Sequence, residues 1–502
     1  MAAQDPHTGG DAGTKTRVVI VSNRGPVTFS RGESGEREFS RGAGGLVTAL
    51  NAVARRRSEA VWIASAQSEE DVRVAKENPD EPYEVEGLKV VLVEHDGEAY
   101  DLMYNRLANP LLWFVQHGLY DLPYAPVLGD DTKRAWEEGY VPVNENFAEA
   151  VARTLQSQEE GGPRKPVILV HDYQLYMTPL ALRERLGDEA FISLFVHIPC
   201  PEPEGWRVLP SYAREGVLKS LLEANVVAFH TESYVRNFVR TAREVLGVEA
   251  DEEKGVVRSE SGREVWVRAY PISIDPNEFE ELANSDEVLQ EEETVRDLPG
   301  KLLLRVDRMD LSKNIVRGFH AYDRMLERHP EMREQVTFLA RCQPSREDIP
   351  EYARYADAIQ EAAKEVNEKH ATDSWEPIVL SMEDNFPLSV AAYKNYDVLL
   401  VNAVRDGMNL IAKEAVVANE KNGVLILSEN AGAHEELGEH AITVNPFDVD
   451  EQGDALHEAL IMPDDERGRR AKALEQTIRS NTIEAWVEAQ LKDVAAYRER
   501  HG

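Results

Sequence analysis

The segment LLLRVDRMDLSKN (302–314) places two cations, Arg308 and Lys313, just past an apolar run. Fixed cations there would neutralise the charge that grows on a departing diphosphate, as a leaving group without a bound metal requires. The plainer reading is a surface pair matched to Asp307 and Asp310. Farther on, VNAVRDGMNLIAKEAVVA (401–418) reads as strand, glycine-containing turn and helix. The amides of Gly407, Met408, Asn409 and Leu410 would face an anion there, and the helix dipole adds favourable potential. Asp406 can accept hydrogen bonds from a sugar, and Glu414 suits a ribose diol. Against this stands ordinary capping of the helix by Asp406, with Glu414 solvated.

Other candidates are weaker alone. SRGAGGLVTAL (40–50) lacks both the GxGxxG and the P-loop spacing. Without side chains at Gly44 and Gly45, however, that loop can approach a diphosphate closely, or simply make a tight turn. His197 ends a strand and precedes Pro199 and Pro201, so its imidazole sits on a stiff loop beside the neighbouring strand end at His171 and Asp172. Asp172 can orient an acceptor hydroxyl or cap the segment beginning near Gln174. Tyr104 and Trp113, in YNRLANPLLW, can stack on a sugar face or belong to the core. DVD (448–450) offers two carboxylates but follows Pro446, and reads as a turn rather than a metal site. Cys200 and Cys342 match no zinc or disulfide pattern and read as structural thiols.

These residues need elements that bring them together. Six short apolar runs end abruptly in polar residues: VVIVS into Asn23-Arg24-Gly25, VILV into His171-Asp172, ISLFV into His197, LLLRV into Asp307-Arg308, VLLV into Arg405-Asp406-Gly407, and VLIL into Ser428-Glu429. Runs without alternation read as parallel strands buried on both faces, and ligands bind beyond the carboxyl ends of such strands. The chain of 502 residues suits two domains of about 200 to 250 residues each. We expect a disordered tail at 1–16, one α/β domain at 17–275, a second at 276–480, and a closing helix at 481–502. Two Rossmann-like halves facing across a cleft are the simplest architecture.

The formal charge of −35 argues against nucleic acid as a partner. Against that background Arg24, Arg308, Lys313, Arg346, Arg405 and Lys413 stand out at strand ends and suggest a positive pocket for anionic small molecules. No apolar stretch reaches the roughly 18 residues a bilayer demands, so a soluble cytoplasmic protein is expected, with no membrane partner. The sequence leaves room for a homo-oligomer.

SNRGPV, the GAGGL loop, HDYQL, FVHIP, DRMDxxK, RDGMNLxAKE and SENAGAxEEL occur in this order, and together they resemble trehalose-6-phosphate synthase, a retaining glycosyltransferase family of GT-B fold. The resemblance covers roughly residues 17 to 490. It implies transfer of glucose from a nucleotide diphosphate glucose to glucose 6-phosphate, with no cofactor and no metal. Carried over residue by residue, it implies that Gly44, Arg308, Lys313, Asp406, the 407–410 amides and Glu414 serve the donor. It sets His197 against the donor sugar near the reacting centre. Arg24, Tyr104, Trp113, Asp172 and Arg346 fall to the acceptor, with Arg24 and Arg346 on its phosphate.

Two departures bear on the base. Cys200 stands in HIPCPEPEGW where the family has an aromatic between prolines, and IVLSMEDNFPLSVAAYKNY differs from the pattern associated with uracil recognition. WIASAQSEED, VNPFD and EAWVEAQL look closer to an actinobacterial branch with GDP-glucose-using synthases and validoxylamine-phosphate synthase. GDP-glucose is therefore the expected donor. A pseudo-glycosyltransferase of the validoxylamine type, a glucosylglycerol-phosphate synthase and a non-catalytic nucleotide-sugar sensor stay open as alternatives.

Overall fold

Valine-, isoleucine- and leucine-rich runs that do not alternate with polar residues must be covered on both faces, which calls for parallel strands sandwiched between helices. The computed structural model describes residues 17–32, 34–42, 47, 50, 51, 54, 60–79, 81–157 and 165–501. The tail expected at 1–16 lies outside the described residues, as do Gly44 and Gly45.

In chain order the strands of the first half are β1 (Val18–Ser22), β2 (Val27–Arg31), β3 (Arg37–Arg41), β4 (Val61–Ser65), β5 (Tyr83–Val85), β6 (Leu88–Val93), β7 (Val167–His171), β8 (Phe191–Phe195), β9 (Val226–Phe229), β10 (Ala250–Asp251), β11 (Val256–Arg258) and β12 (Glu264–Ala269). Ten of them form one sheet in the order β10-β11-β12-β9-β8-β7-β1-β4-β6-β5, and β2 pairs with β3 as a separate hairpin. The central strands are parallel; β5, β10 and β11 pair antiparallel at the edges.

The second half contributes β13 (Lys301–Arg308), β14 (Val336–Gln343), β15 (Ile378–Ser381), β16 (Val398–Val401), β17 (Val424–Ser428) and β18 (Ile442–Val444). They form an all-parallel sheet ordered β15-β14-β13-β16-β17-β18. β13 pairs with β14 over its whole length, from Lys301 beside Val336 to Arg308 beside Gln343, so the ends carrying Arg308 and Arg346 leave the sheet side by side.

One core position of β13 is an arginine. Arg305 is fully buried, and its guanidinium donates to Asp307 (2.8 Å), to the Lys313 carbonyl (2.8 Å) and to the Ile315 carbonyl (3.4 Å). Gly318 makes room for it, since a Cβ there would overlap Nη1 of Arg305. A buried charge is tolerable only when so paired, and here the pairing fixes the turn that presents Lys313.

The chain crosses between the halves twice, and the crossings touch, because the Ile483 amide donates to the Ile274 carbonyl (3.1 Å). The helix Ile483–His501 then lies on the first half: Trp486 packs against Phe195, Tyr497 against Phe191, and the Tyr497 hydroxyl donates to the Glu264 carbonyl (2.6 Å). DVD (448–450) starts a helix, with Asp448 capping Val449–Ile461 through the Glu451 amide (2.9 Å), a correction to the turn reading. Both cysteines are buried free thiols. Among the described residues no helix is long and apolar enough to cross a membrane.

Candidate active site

The carboxyl ends of both parallel sheets open on the same cleft. On the second half, Arg308 is exposed at the end of β13 and has no carboxylate partner among the described residues. Asp307 turns inward to Arg305, and Asp310 pairs with Arg346, so neither makes the direct surface ion pair with Arg308 or Lys313 that the plainer reading required. Lys313 instead reaches across to Asp406, with Nζ 2.5 Å from Oδ2. Burial opposes both charges, but the attraction wins: the Asp406 carboxyl is held below its ordinary range and the Lys313 ammonium above its own.

Asp406 is not the helix cap. It accepts from the Asn409 side chain (3.1 Å), and Asn409, one residue before the N-cap Leu410 of Ile411–Ala418, accepts from the Ala412 amide (3.2 Å). The amides of Gly407, Met408, Asn409 and Leu410 have no acceptor among the described residues. An unsatisfied run of N–H groups at a helix start is a ready anion cradle. Glu414 lies half-buried without a hydrogen-bond partner among the described residues, and burial pushes its carboxyl up to about 7. Such a group is poised to accept from a hydroxyl pair.

Glycine is required at 407, where a Cβ would overlap the His197 carbonyl oxygen of the facing half. Behind it, a Cβ on Gly432 would overlap the carbonyl oxygen of Gly407. Three backbones thus stack in contact at this point of the cleft.

On the first half, Asp172 adopts φ 77°, a strained conformation for a residue with a side chain. Asp172 stands at the N-cap position of the single turn Tyr173–Leu175, but its side chain makes no capping bond there; its Oδ1 accepts from the His197 amide instead (3.2 Å). Burial raises its carboxyl to about 6. The His197 ring stacks on Phe195 (centroids 4.4 Å apart), and its Nε2 is 3.1 Å from Nδ1 of His171. His230, ending β9 in the same way, lies 5.1 Å from it, ring to ring. Sequence reasoning missed His230, though VVAFH carries the same apolar-run-then-histidine signal. Burial drives His171 and His230 down to about 3 and His197 well below its ordinary value, so all three are neutral hydrogen-bonding groups.

A second cationic cluster spans the cleft. Arg346, at φ 50°, pairs with Asp310 (3.1 Å) and Tyr352 of its own half and donates to the Tyr173 hydroxyl of the other (3.2 Å). Its guanidinium carbon lies 4.1 Å from the centroid of Trp113, whose other neighbours include His117 at 4.0 Å. Asp310 is wholly buried; it accepts from Ser312 amide and hydroxyl and from the Trp113 indole (3.4 Å). Burial would raise its carboxyl, but Arg346 and Arg308 outweigh it and hold the group down to about 2. Asp310 was read from sequence only as a neighbour of Arg308, although DRMD contains it.

Tyr104 stacks on Tyr100 (5.8 Å) from a π-helical segment, Leu102–Leu112, interrupted by Pro110. Burial works against ionisation of its hydroxyl, but Arg346 and Arg24 overcome that and bring it below the usual tyrosine value. Arg24 itself is exposed after β1. Trp113 is 7% exposed and touches both members of that pair, its ring lying under Arg346 and its indole N–H donating to Asp310. Lys413 does not join this positive pocket. It is buried and bound to Glu436 (2.6 Å) and the Ile272 carbonyl (2.8 Å), tying the second half to the first crossing. Arg405 lines a separate cavity of about 400 Å³ behind the 405–409 turn.

The chain belongs to glycosyltransferase family 20, whose model matches residues 16–496. It is 32% identical over 506 residues to an alpha,alpha-trehalose-phosphate synthase (UDP-forming) of Schizosaccharomyces pombe, covering 98% of this chain and 93% of the relative. A solved E. coli structure described as bound with UDP-2-fluoro glucose has a TM-score of 0.80 at 27% identity, covering 95% of this chain and 98% of that one. A Burkholderia xenovorans alpha,alpha-trehalose-phosphate synthase (UDP-forming) in complex with glucose-6-phosphate gives 0.80 at 28% identity, with coverage of 95% and 100%. The fold is accordingly GT-B, two Rossmann-like α/β domains across a cleft, and the protein is a transferase enzyme.

Proposed function

We propose that this enzyme transfers glucose, with retention at the anomeric carbon, from a nucleotide diphosphate glucose to glucose 6-phosphate, forming trehalose 6-phosphate. The observation that carries the reading is the presence of two anion sites in one cleft: Arg308, Lys313 and the free 407–410 amides form one, and Arg24 and Arg346 around Tyr104 form the other. The relatives named for trehalose-phosphate synthesis, one of them holding glucose-6-phosphate, support the same assignment.

In this reading the amides and Arg308 hold the diphosphate, while Lys313 turns from Asp406 to the leaving oxygens. Asp406 and the His197 edge then contact the transferred sugar, and Glu414 the ribose. Arg24 and Arg346 hold the acceptor phosphate with Tyr104, Trp113 supports Arg346, and Asp172 orients the attacking hydroxyl. That hydroxyl oxygen bonds to the anomeric carbon as the carbon–oxygen bond to the diphosphate breaks on the same face. Its proton passes to the departing diphosphate oxygen, and the cations and amides stabilise the charge left there.

Departures at Cys200 and before β16 favour GDP-glucose, whereas the relatives named UDP-forming favour UDP-glucose. Mass spectrometry of products across UDP- and GDP-glucose with glucose 6-phosphate and glycerol 3-phosphate tests both points. Trehalose 6-phosphate is the expected product. Its absence from every pair would remove the assignment, and a strong UDP preference in initial rates would remove the GDP reading.

A further inference from the structure

The 405–409 turn is held from behind by contacts that the transfer reaction does not use. Asp406 receives two hydrogen bonds on its carbonyl oxygen, from the Gly432 amide (3.1 Å) and from the Tyr234 hydroxyl of the facing domain (2.8 Å). The Met408 carbonyl receives the Ala433 amide (2.8 Å). In a trans peptide the C=O and the following N–H point in opposite directions. Drawing the carbonyls of Asp406 and Met408 toward the back therefore turns the amides of Gly407 and Asn409 toward the front, into the cleft. Of the three donors, Tyr234 alone comes from the other domain.

The start of the helix that carries Tyr234 is itself fastened across the cleft. Glu435 of the second half accepts from the Glu232 amide (3.1 Å) and the Ser233 amide (3.2 Å), the first turn of Glu232–Leu246. Thr231 caps the same turn through the Tyr234 amide (3.2 Å). The hydroxyl of Tyr234 is thus delivered to Asp406 only when the two domains are in register.

We propose that Tyr234 is a positioning residue that couples domain closure to assembly of the anion cradle, its hydroxyl setting the Asp406–Gly407 peptide so that the Gly407 amide faces the diphosphate. The inference rests on the transferase reading for its kinetic consequence, but not for its binding consequence. Opening the cleft withdraws the hydroxyl and leaves the Asp406 carbonyl to the Gly432 amide alone, so the cradle would be fully fixed only in the closed, water-excluding state.

The test replaces Tyr234 with Phe, which keeps the ring and removes the donor, and with 4-aminophenylalanine, which restores an N–H donor in its place. Binding of UDP and GDP is measured by titration calorimetry, alongside kcat and the acceptor KM. We expect Tyr234→Phe to weaken nucleoside diphosphate binding and to lower kcat, each by about tenfold. The acceptor KM should stay within about twofold, and the amino variant should recover most of the loss. Loss without recovery, or an acceptor KM rising in parallel, would mark Tyr234 as a packing residue and overturn the proposal. Unchanged nucleoside diphosphate affinity in Tyr234→Phe would overturn it as well, whether or not the wild type turns over. A wild type that binds the diphosphate without making product would refute the transferase reading alone, leaving the affinity ratio to decide this one.

Discussion

The two anion sites of the cleft are built on different principles. The 407–410 cradle is made of backbone, within one strand-turn-helix, with its donors unsatisfied among the described residues and the adjoining carboxylate, Asp406, engaged by Lys313 at 2.5 Å. The Arg346 cluster is made of side chains from several strand ends, and its cation is already held by Asp310, Tyr352 and Tyr173. A backbone cradle keeps its shape at no entropic cost to long side chains and awaits an anion. A side-chain cluster has to be held open by partners, because flexible arginines lose rotamer freedom on ordering. Asp310 takes that part, so the pocket expected to bind a phosphate contains a carboxylate at its base.

The sharpest way to break this contrast is Arg308→Ala, which removes the exposed cation on the donor side. We expect kcat to fall by about 10²- to 10³-fold, as for loss of one oxyanion donor, with little change in acceptor KM. Steady-state kinetics in both substrates would show it, and an unchanged kcat would remove the clamp role. Asp310→Asn should act on the other side. Breaking a buried ion pair costs about 3–5 kcal/mol, so thermal melting should shift down while the acceptor KM rises more than the donor KM. If both constants move together, the two sites are not separately built.

Glu414→Gln sharpens the comparison through pH. Folding raises this carboxyl from its ordinary value to about 7, so the group's contribution to stability is complete in acid and is lost as pH rises through about 7. The variant carries no such loss. Its unfolding free energy should match the wild type near pH 4.5 and exceed it at pH 8, by about 1–3 kcal/mol in denaturant titration, while its donor KM rises. A constant difference across that range would mean the carboxyl is not buried as described. The smallest effect belongs to Trp113→Phe, which deletes the indole donor to Asp310 but keeps a ring under Arg346. A loss of about 0.5–1.5 kcal/mol in acceptor affinity is expected, readable as a shift in KM.

The same contrast explains what the sequence discloses. Strand ends are legible because an apolar run closed by a polar residue needs no partner to be recognised, and the 405–410 turn is legible because its whole mechanism lies within adjacent residues. Arg308, Lys313, Asp406 and His197 do meet at one cleft. The partners of Arg346 are not legible, since Asp310 and Tyr173 lie 36 and 173 residues away and only the sheet order brings them together. Lys413 misleads for the opposite reason. It follows a motif glycine on a helix, yet its face of that helix points to Glu436 and the Ile272 carbonyl rather than to the cleft. The antiparallel edges at β5, β10 and β11 are short and partly exposed, too brief for periodicity to mark.

The doubled crossing, where the Ile483 amide meets the Ile274 carbonyl, limits how the lobes can travel. A lone tether would let them tumble about three axes. Two neighbouring strips joined by a hydrogen bond act as a leaf spring instead, compliant to bending and stiff to torsion. Each excursion would then retrace one arc, returning Gly407 to the His197 carbonyl without a search over orientations.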